Sequence, residues 1–504
     1  MASAVRRTGA ACRGTCGRHG IGNHTGNRID NRVGNHTGNR IDNRVGNHIG
    51  NHIGNHNGHG GRMNPGAFHQ QPYTAQPHLA APAAGHGGRL LVWYQTLLLS
   101  GALGAIYLNL PIYLYVLNSA LLPKYIFFGV FALIAPLFII HYRALGAYLG
   151  SPFVLWASVF LVLNLIHLAN FPATNDLAGS YFADNYGEAR QSLVTTRAQY
   201  VLFALFLGFA IYVSARKTYL YVFVALTILL PCAVMFDFAR PGVLYPLDTG
   251  GAVLGRAAAM FINPTMAGEA ILHVFLLACA VTALRYRLPL FLLAGAGVMA
   301  TFSRSSIIAW VLLLFMLVFK KTLPKSAFVT TAIVFGISLA FVGQFESYLH
   351  SRQEFEDASN NLLSRLNFFS SFTFDDDSSE ERADVIRASW EMFLQNPFFG
   401  AGAGATQYWA HRGSTHNQLL LLAAEYGIFG IGLWAWLLVI LWKGSFFDDR
   451  GLQLALACIF AFMSLFTHLM FDSATYWLAT FALISVRHKT FPIPWTNGPP
   501  QGHS

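Results

Sequence analysis

Residues 418–442 read QLLLLAAEYGIFGIGLWAWLLVILW, a run of 25 residues with one charged side chain, Glu425. No face of a helix built from this run is polar, so in water it would have nothing to show to solvent. A bilayer core of ~30 Å is spanned by about 20 residues at a rise of 1.5 Å each. The run therefore predicts a helix inside a membrane. Working outward, similar apolar blocks lie near 90–109, 123–141, 152–171, 197–214, 219–237, 259–284, 288–303, 305–319, 326–343, 452–471 and 473–486. The expected fold class is an all-α polytopic membrane protein with about 12 transmembrane helices. Composition agrees: 54% of the 504 residues are hydrophobic and 11% charged, far below the ~25% charge of soluble domains.

The connections between these blocks alternate in character. One set is short and basic, with Arg143, Arg216, Lys217, Arg285, Arg287, Lys320, Lys321, Lys325, Lys443 and Arg450, and Arg89, Arg487 and Lys489 at the two ends. By the positive-inside rule this set faces the cytoplasm, as do both termini. The other set, 172–196, 238–258 and a long stretch 344–417, faces outward. The membrane domain is expected over 89–487, with a large external (periplasmic) loop 344–417 and a short cytoplasmic tail 488–504.

Residues 1–88 precede the first block. GNHTGNRIDNRV at 22–33 recurs unchanged at 34–45, and no apolar periodicity accompanies it, so the tail is expected to be disordered. Translation is suspected to begin at Met63, and a chain starting there is expected to insert and function like the whole. The tail also explains the net charge. Residues 1–62 carry nine Arg and two Asp, 9 − 2 = +7 of the total +10, which leaves +3 for the rest. No folded domain then presents a basic face, and no nucleic-acid partner is expected. Of five cysteines, Cys232, Cys279 and Cys458 lie in apolar blocks and Cys12 and Cys16 in the tail, so no disulfide framework is expected.

Ten arginines fall on the outer side, where the positive-inside rule disfavours them: Arg190, Arg197, Arg240, Arg256, Arg304, Arg352, Arg365, Arg382, Arg387 and Arg412. Acidic loop residues such as Asp375, Asp376, Asp377, Glu380 and Glu381 are expected to pair with more than half of them. Arg256 and Arg304 abut apolar blocks without an acidic neighbour in sequence, which makes them functional candidates. Arginine's planar fork grips a phosphate through two parallel hydrogen bonds.

The external loop carries further signals. In ERADVIRASWEMFLQNPFFG, residues 381–400, the positions of Ala383, Ile386, Trp390, Phe393 and Leu394 predict an amphipathic helix of about three or four turns lying on the membrane surface. GAGAG at 400–404 is a loop whose bare N–H groups can approach an anion. Thr415-His416-Asn417 then opens the apolar run, with Thr415 or Asn417 suited to capping it. Capping does not need the histidine, so His416 is a candidate base or hydrogen-bond partner for a hydroxyl. Glu269 and His273, four apart in one block, are read as a structural polar pair.

The order of these pieces resembles the O-antigen ligase and polysaccharide polymerase superfamily of bacterial inner membranes. The pieces are Arg256 with Asn263-Pro264 and Ala267, then Ser303-Arg304, then Arg382 with Trp390 and Pro397 to Gly402, then His416-Asn417 with Glu425, Gly427 and Gly430. They cover roughly 250–435, and Pro264-Thr265 departs from the family's usual Pro-Asn. The resemblance implies an inverting, metal-independent transferase that uses no cofactor and has its active site on the periplasmic face. Its donor would be an undecaprenyl-diphosphate-linked glycan and its acceptor a sugar hydroxyl of lipid A-core or of another glycan. Arg256, Arg304 and Arg382 would bind the diphosphate, with Arg304 and Arg382 also stabilising the leaving group. His416 would serve the acceptor hydroxyl, with Asn417 and Glu425 in support. Nine helical steps from His416 place Glu425 on the opposite face of a straight helix, so Glu425 is expected to buttress an arginine or a neighbouring span. Two alternatives stay open: a polymerase with the same donor, and a transporter or flippase of the lipid-linked glycan.

Overall fold

Every apolar block becomes a helix. The computed structural model describes residues 86–170, 186–214, 217–244, 256–261, 263–340, 377–409, 415–467 and 470–486, and among these there is no strand. In chain order the helices are α1 (His86–Tyr107), α2 (Leu110–Leu117), α3 (Pro123–Ile140), α4 (Tyr142–Leu149), α5 (Pro152–Asn170), α6 (Tyr186–Val213) and α7 (Tyr221–Ala239). They continue with α8 (Pro264–Ala278), α9 (Leu284–Ala300), α10 (Arg304–Phe319), α11 (Ser326–Ala340), α12 (Asp377–Gln395), α13 (Gln418–Lys443), α14 (Arg450–Met463) and α15 (Tyr476–Ser485). The repeat tail, Met63, Arg352, Arg365, Arg412 and the acids 375 and 376 lie outside the described residues.

Among the described residues, six stretches are long and apolar enough to cross a membrane: Arg89–Tyr107, Pro123–Ile140, Pro152–Ala169, Tyr186–Val213, Thr218–Ala239 and Gln418–Lys443. Five other apolar helices have only 10–17 residues. At 1.5 Å per residue these reach about 15–26 Å, short of a ~30 Å core. Length and composition thus give six spans directly, against the twelve expected.

Two boundaries differ in ways that matter. The block expected at 197–214 starts a full eleven residues earlier, at Tyr186, so Arg190 and Arg197 belong to helix α6 and not to a loop or its edge. YGEARQSLVTTR continues the helix because it holds neither Pro nor Gly beyond its first turn. The amphipathic helix runs from Asp377 to Gln395, and the apolar stripe expected to meet the membrane faces away from the protein. Val385 and Met392 are buried against Ala405, Trp409 and Ala424, whereas Ile386, Trp390 and Leu394 are exposed.

The last of the long helices, α13, is broken. Gly427 sits at φ 64°, ψ −143°, a conformation open to glycine alone. A Cβ there would lie 2.3 Å from the Phe398 carbonyl oxygen. The loop 397–402 lies in the break and takes over hydrogen bonds that the helix gives up. Ile428 N donates to Pro397 O at 2.8 Å, Ala401 N to Ala424 O at 2.8 Å and Gly402 N to Glu425 O at 3.1 Å.

Sidedness gives the first prediction. A periplasm-active reporter fused after Gln395 should give signal and one fused after Lys321 none, because Lys320, Lys321 and Lys325 cluster at the opposite end of α10 from Arg304. Signal after Lys321 would reverse the side assignment.

Candidate functional site

Asp237, near the end of α7, fixes the segment that carries Arg256. One carboxylate oxygen accepts Ala258 N at 3.0 Å and Ala259 N at 2.8 Å. The segment then runs beside the turn between α9 and α10. Ala257 N donates to Ala300 O, and Arg256 Nε donates to Thr301 O at 3.4 Å. Arg304 is the first residue of α10, three positions after Thr301. The two arginines singled out from sequence are thereby brought to one place.

Two helix N-termini meet there as well. Asn263 caps α8 by accepting Thr265 N at 2.8 Å, with Pro264 in the first turn, where its missing N–H is no loss. Ser303 caps α10 by position, and its Oγ donates to Thr265 Oγ1 at 3.2 Å. Ser306 Oγ donates to Thr265 O at 3.3 Å, and Gly268 lets α8 and α10 approach, since a Cβ there would lie 2.5 Å from Ser306 Oγ. Two positive dipole ends thus lie beside two arginines, an arrangement that favours negative charge.

His416 stands at the start of α13. Thr415, fully buried, shares a hydrogen bond with Ser389 of α12, and Asn417 is the cap, accepting Leu420 N at 3.0 Å. His416 is half-buried and plays no part in that cap. The α13 start lies at the same end of the bundle as the arginines. Gln418 accepts Met470 N at 3.3 Å, and Ser473 of the same turn donates to Met266 of α8 at 3.8 Å.

Beneath this end lies an ion network in which Glu425 buttresses an arginine, as expected of it, although the sequence did not say which one. Arg197 is fully buried and donates to Glu425 Oε2 at 2.6 Å and to Asp472 Oδ1 at 2.8 Å. Thr406 Oγ1 donates to Glu425 Oε1 at 2.7 Å, and Gln407 Nε2 to Asp472 Oδ2 at 2.6 Å. Arg190 donates to the His167 carbonyl, and His167 Nδ1 accepts Ala403 N at 3.0 Å. Tyr408, in the same loop, donates to Ala189 O at 3.1 Å. Burial first, and then the Asp472 carboxylate, raise its phenol above the usual range, which keeps it a donor.

Several expectations are corrected by this geometry. The N–H groups of Ala401, Gly402 and Ala403 in the glycine-rich loop serve Ala424, Glu425 and His167, not an anion. Arg197 is matched by Glu425 of α13 and by Asp472 in the turn before α15. Arg382 is exposed on α12. It shares a helix stripe with Ser389, about 10 Å along the axis from the contact with Thr415. Glu269 and His273 are buried with other partners. Glu269 accepts Trp477 Nε1 at 2.6 Å, and His273 lies 2.8 Å from the Thr480 hydroxyl.

An all-helical protein with long apolar helices, and with Arg256 and Arg304 beside two helix N-termini at one end, is the class that fold and geometry define. Residues 289–435 match the family model described as O-antigen ligase, which supports the O-antigen ligase and polymerase superfamily and indicates a glycan ligase or polymerase type of activity. The matched segment holds Arg304, Arg382, His416, Asn417 and Glu425; Arg256 and the α8 cap precede it. A search of the curated proteins found no match.

Proposed function

We propose that this protein is an O-antigen ligase of the bacterial inner membrane. It transfers an undecaprenyl-diphosphate-linked glycan to a sugar hydroxyl of lipid A-core on the periplasmic face. The observation that supports this most is the meeting of Arg256 and Arg304 with the N-termini of α8 and α10. A lipid diphosphate lies at the height of the membrane surface, and charge builds on it as the glycosidic bond breaks. Fixed guanidinium groups and helix dipoles stabilise that charge without reorganising. The acceptor hydroxyl attacks the anomeric carbon from the side opposite the diphosphate, which inverts the configuration. His416 orients this hydroxyl and takes its proton. Arg382 reaches over the site from α12 when donor is bound. Asn417 and Glu425 hold the start of α13 in place.

Analysis of glycans in a deletion strain tests the reading. Lipid A-core without O-chains, together with accumulated long lipid-linked polymer, is expected for a ligase. Single repeat units on the core would replace it with a polymerase, and accumulation of donor on the inner leaflet with a flippase.

Arg304→Lys supplies a sharper test of the diphosphate assignment. The charge stays but the fork is lost, so transfer should drop by about tenfold or more at normal protein level. Arg387→Lys, on an exposed residue paired only with Asp384 at 3.8 Å, should leave transfer unchanged. Equal tolerance at both positions would refute the assignment. Asp237→Ala should act through Arg256, since it frees the backbone of Ala258 and Ala259. Its expected signature is a raised KM for the lipid donor with KM for the acceptor unchanged.

A further inference from the structure

The end of the bundle opposite the arginine site has its own cavity. It measures about 240 Å³ and is lined by Lys320, Trp442, Arg450, Gly451, Gln453 and Leu454. Three helix ends form it: the residue after α10, the last turn of α13 and the first turn of α14. α10 and α14 touch closely here, since a Cβ on Gly451 would lie 2.6 Å from Lys320 Cβ.

The lining has the chemistry of a lipid headgroup site. Lys320 and Arg450 are exposed, and neither has an acidic partner among the described residues. The two acids that precede Arg450 in sequence are not part of the lining. Asp449 accepts Gly451 N at 2.7 Å and lies 3.9 Å from Arg287 on its other oxygen, and Asp448 is exposed. Arg450 opens α14, so the helix dipole adds to the two cations. Gln453, also in the lining, is only 2% exposed; its amide nitrogen is held by the Leu441 carbonyl, while Oε1 has no hydrogen-bond partner among the described residues. A buried acceptor of that kind wants a donor. Beside the cavity, Trp442 and Phe319 stand 56% and 77% exposed, as aromatic side chains do at the level where acyl chains meet headgroups.

We infer that this cavity binds the headgroup of an anionic phospholipid bearing a hydroxyl, such as phosphatidylglycerol. The phosphate lies between Lys320 and Arg450, a headgroup hydroxyl donates to Gln453 Oε1, and an acyl chain runs over Trp442. Charge complementarity selects the lipid, because juxtamembrane basic residues attract anionic leaflets. The site is independent of the transfer reaction proposed at the other end.

The test uses the full chain, purified in mild detergent and titrated with dioleoylphosphatidylglycerol under native mass spectrometry. One retained lipid is expected. Lys320→Gln with Arg450→Gln should weaken its retention about tenfold or more. Arg285→Gln with Lys325→Gln removes the same charge at the same end of the bundle and should leave retention unchanged. Dioleoylphosphatidylcholine should bind weakly to all three proteins, and millimolar inorganic phosphate should not displace the lipid. Gln453→Met should lose the preference for phosphatidylglycerol over phosphatidic acid. Equal retention by both double variants, equal loss in both, equal binding of phosphatidylcholine or displacement by free phosphate would each overturn the site.

Discussion

Arg197→Leu is expected to leave little folded protein. The substitution removes the cation between Glu425 and Asp472, at 2.6 and 2.8 Å, in a place where Arg197 and Glu425 have no solvent contact. Removing one member of a buried ion pair strands the other, which costs about 3–5 kcal/mol. Here two carboxylates would be stranded together. Thr406 and Gln407 would lose fixed acceptors, and with them the loop that occupies the break in α13. Thermal unfolding in detergent measures the effect. Arg197→Lys should recover only part of it, since an ammonium group cannot meet both acids with a rigid fork. Arg387→Ala, which breaks an exposed pair, should change stability by well under ~1 kcal/mol. A folded Arg197→Leu protein with wild-type stability would mean that the network carries no structural weight.

Helices were legible wherever apolar runs were long, as in 418–442, because hydrophobicity in a membrane is a local property of the chain. Arg256 and Arg304 were legible as candidates for a related reason: each is a lone charge at the edge of an apolar block. Arg197 offered the same signal but was assigned to the margin of a span, because YGEARQSLVTTR looks like a loop by polarity. Its partners are 228 and 275 residues away in sequence, and no spacing rule links them. Asp237, 21 residues from Ala258, was hidden in the same way. The glycine-rich loop misled for a different reason. Its sequence declares a backbone free to approach something, and that something is the opened backbone of α13 itself, at Ala424 and Glu425. On α12 the outward apolar stripe was legible, but the face that packs on the protein was not. The residues that pack on the protein are Val385, Ser389 and Met392, which leaves the Ile386, Trp390 and Leu394 stripe outward.

His416→Ala is expected to abolish transfer without harming the protein. Asn417 caps α13 and Thr415 ties the turn to α12, and both of these anchors survive loss of the imidazole. A group that accepts a proton or aligns the attacking hydroxyl contributes ~10²–10⁴-fold in rate. The loss of a cap would instead cost about 0.5–2 kcal/mol of stability. Catalytic and structural roles therefore predict different failures. The catalytic role predicts a variant that accumulates normally, still binds lipid-linked donor with unchanged affinity, and transfers at least about a hundredfold more slowly. His416→Asn separates the two further. Asparagine is a good helix-capping residue and keeps a side-chain hydrogen bond, but it cannot take up a proton near neutral pH. It should be nearly as inactive as alanine. Retention of most transfer activity by His416→Asn would leave the histidine a spacer, and the acceptor hydroxyl would then be activated by position alone.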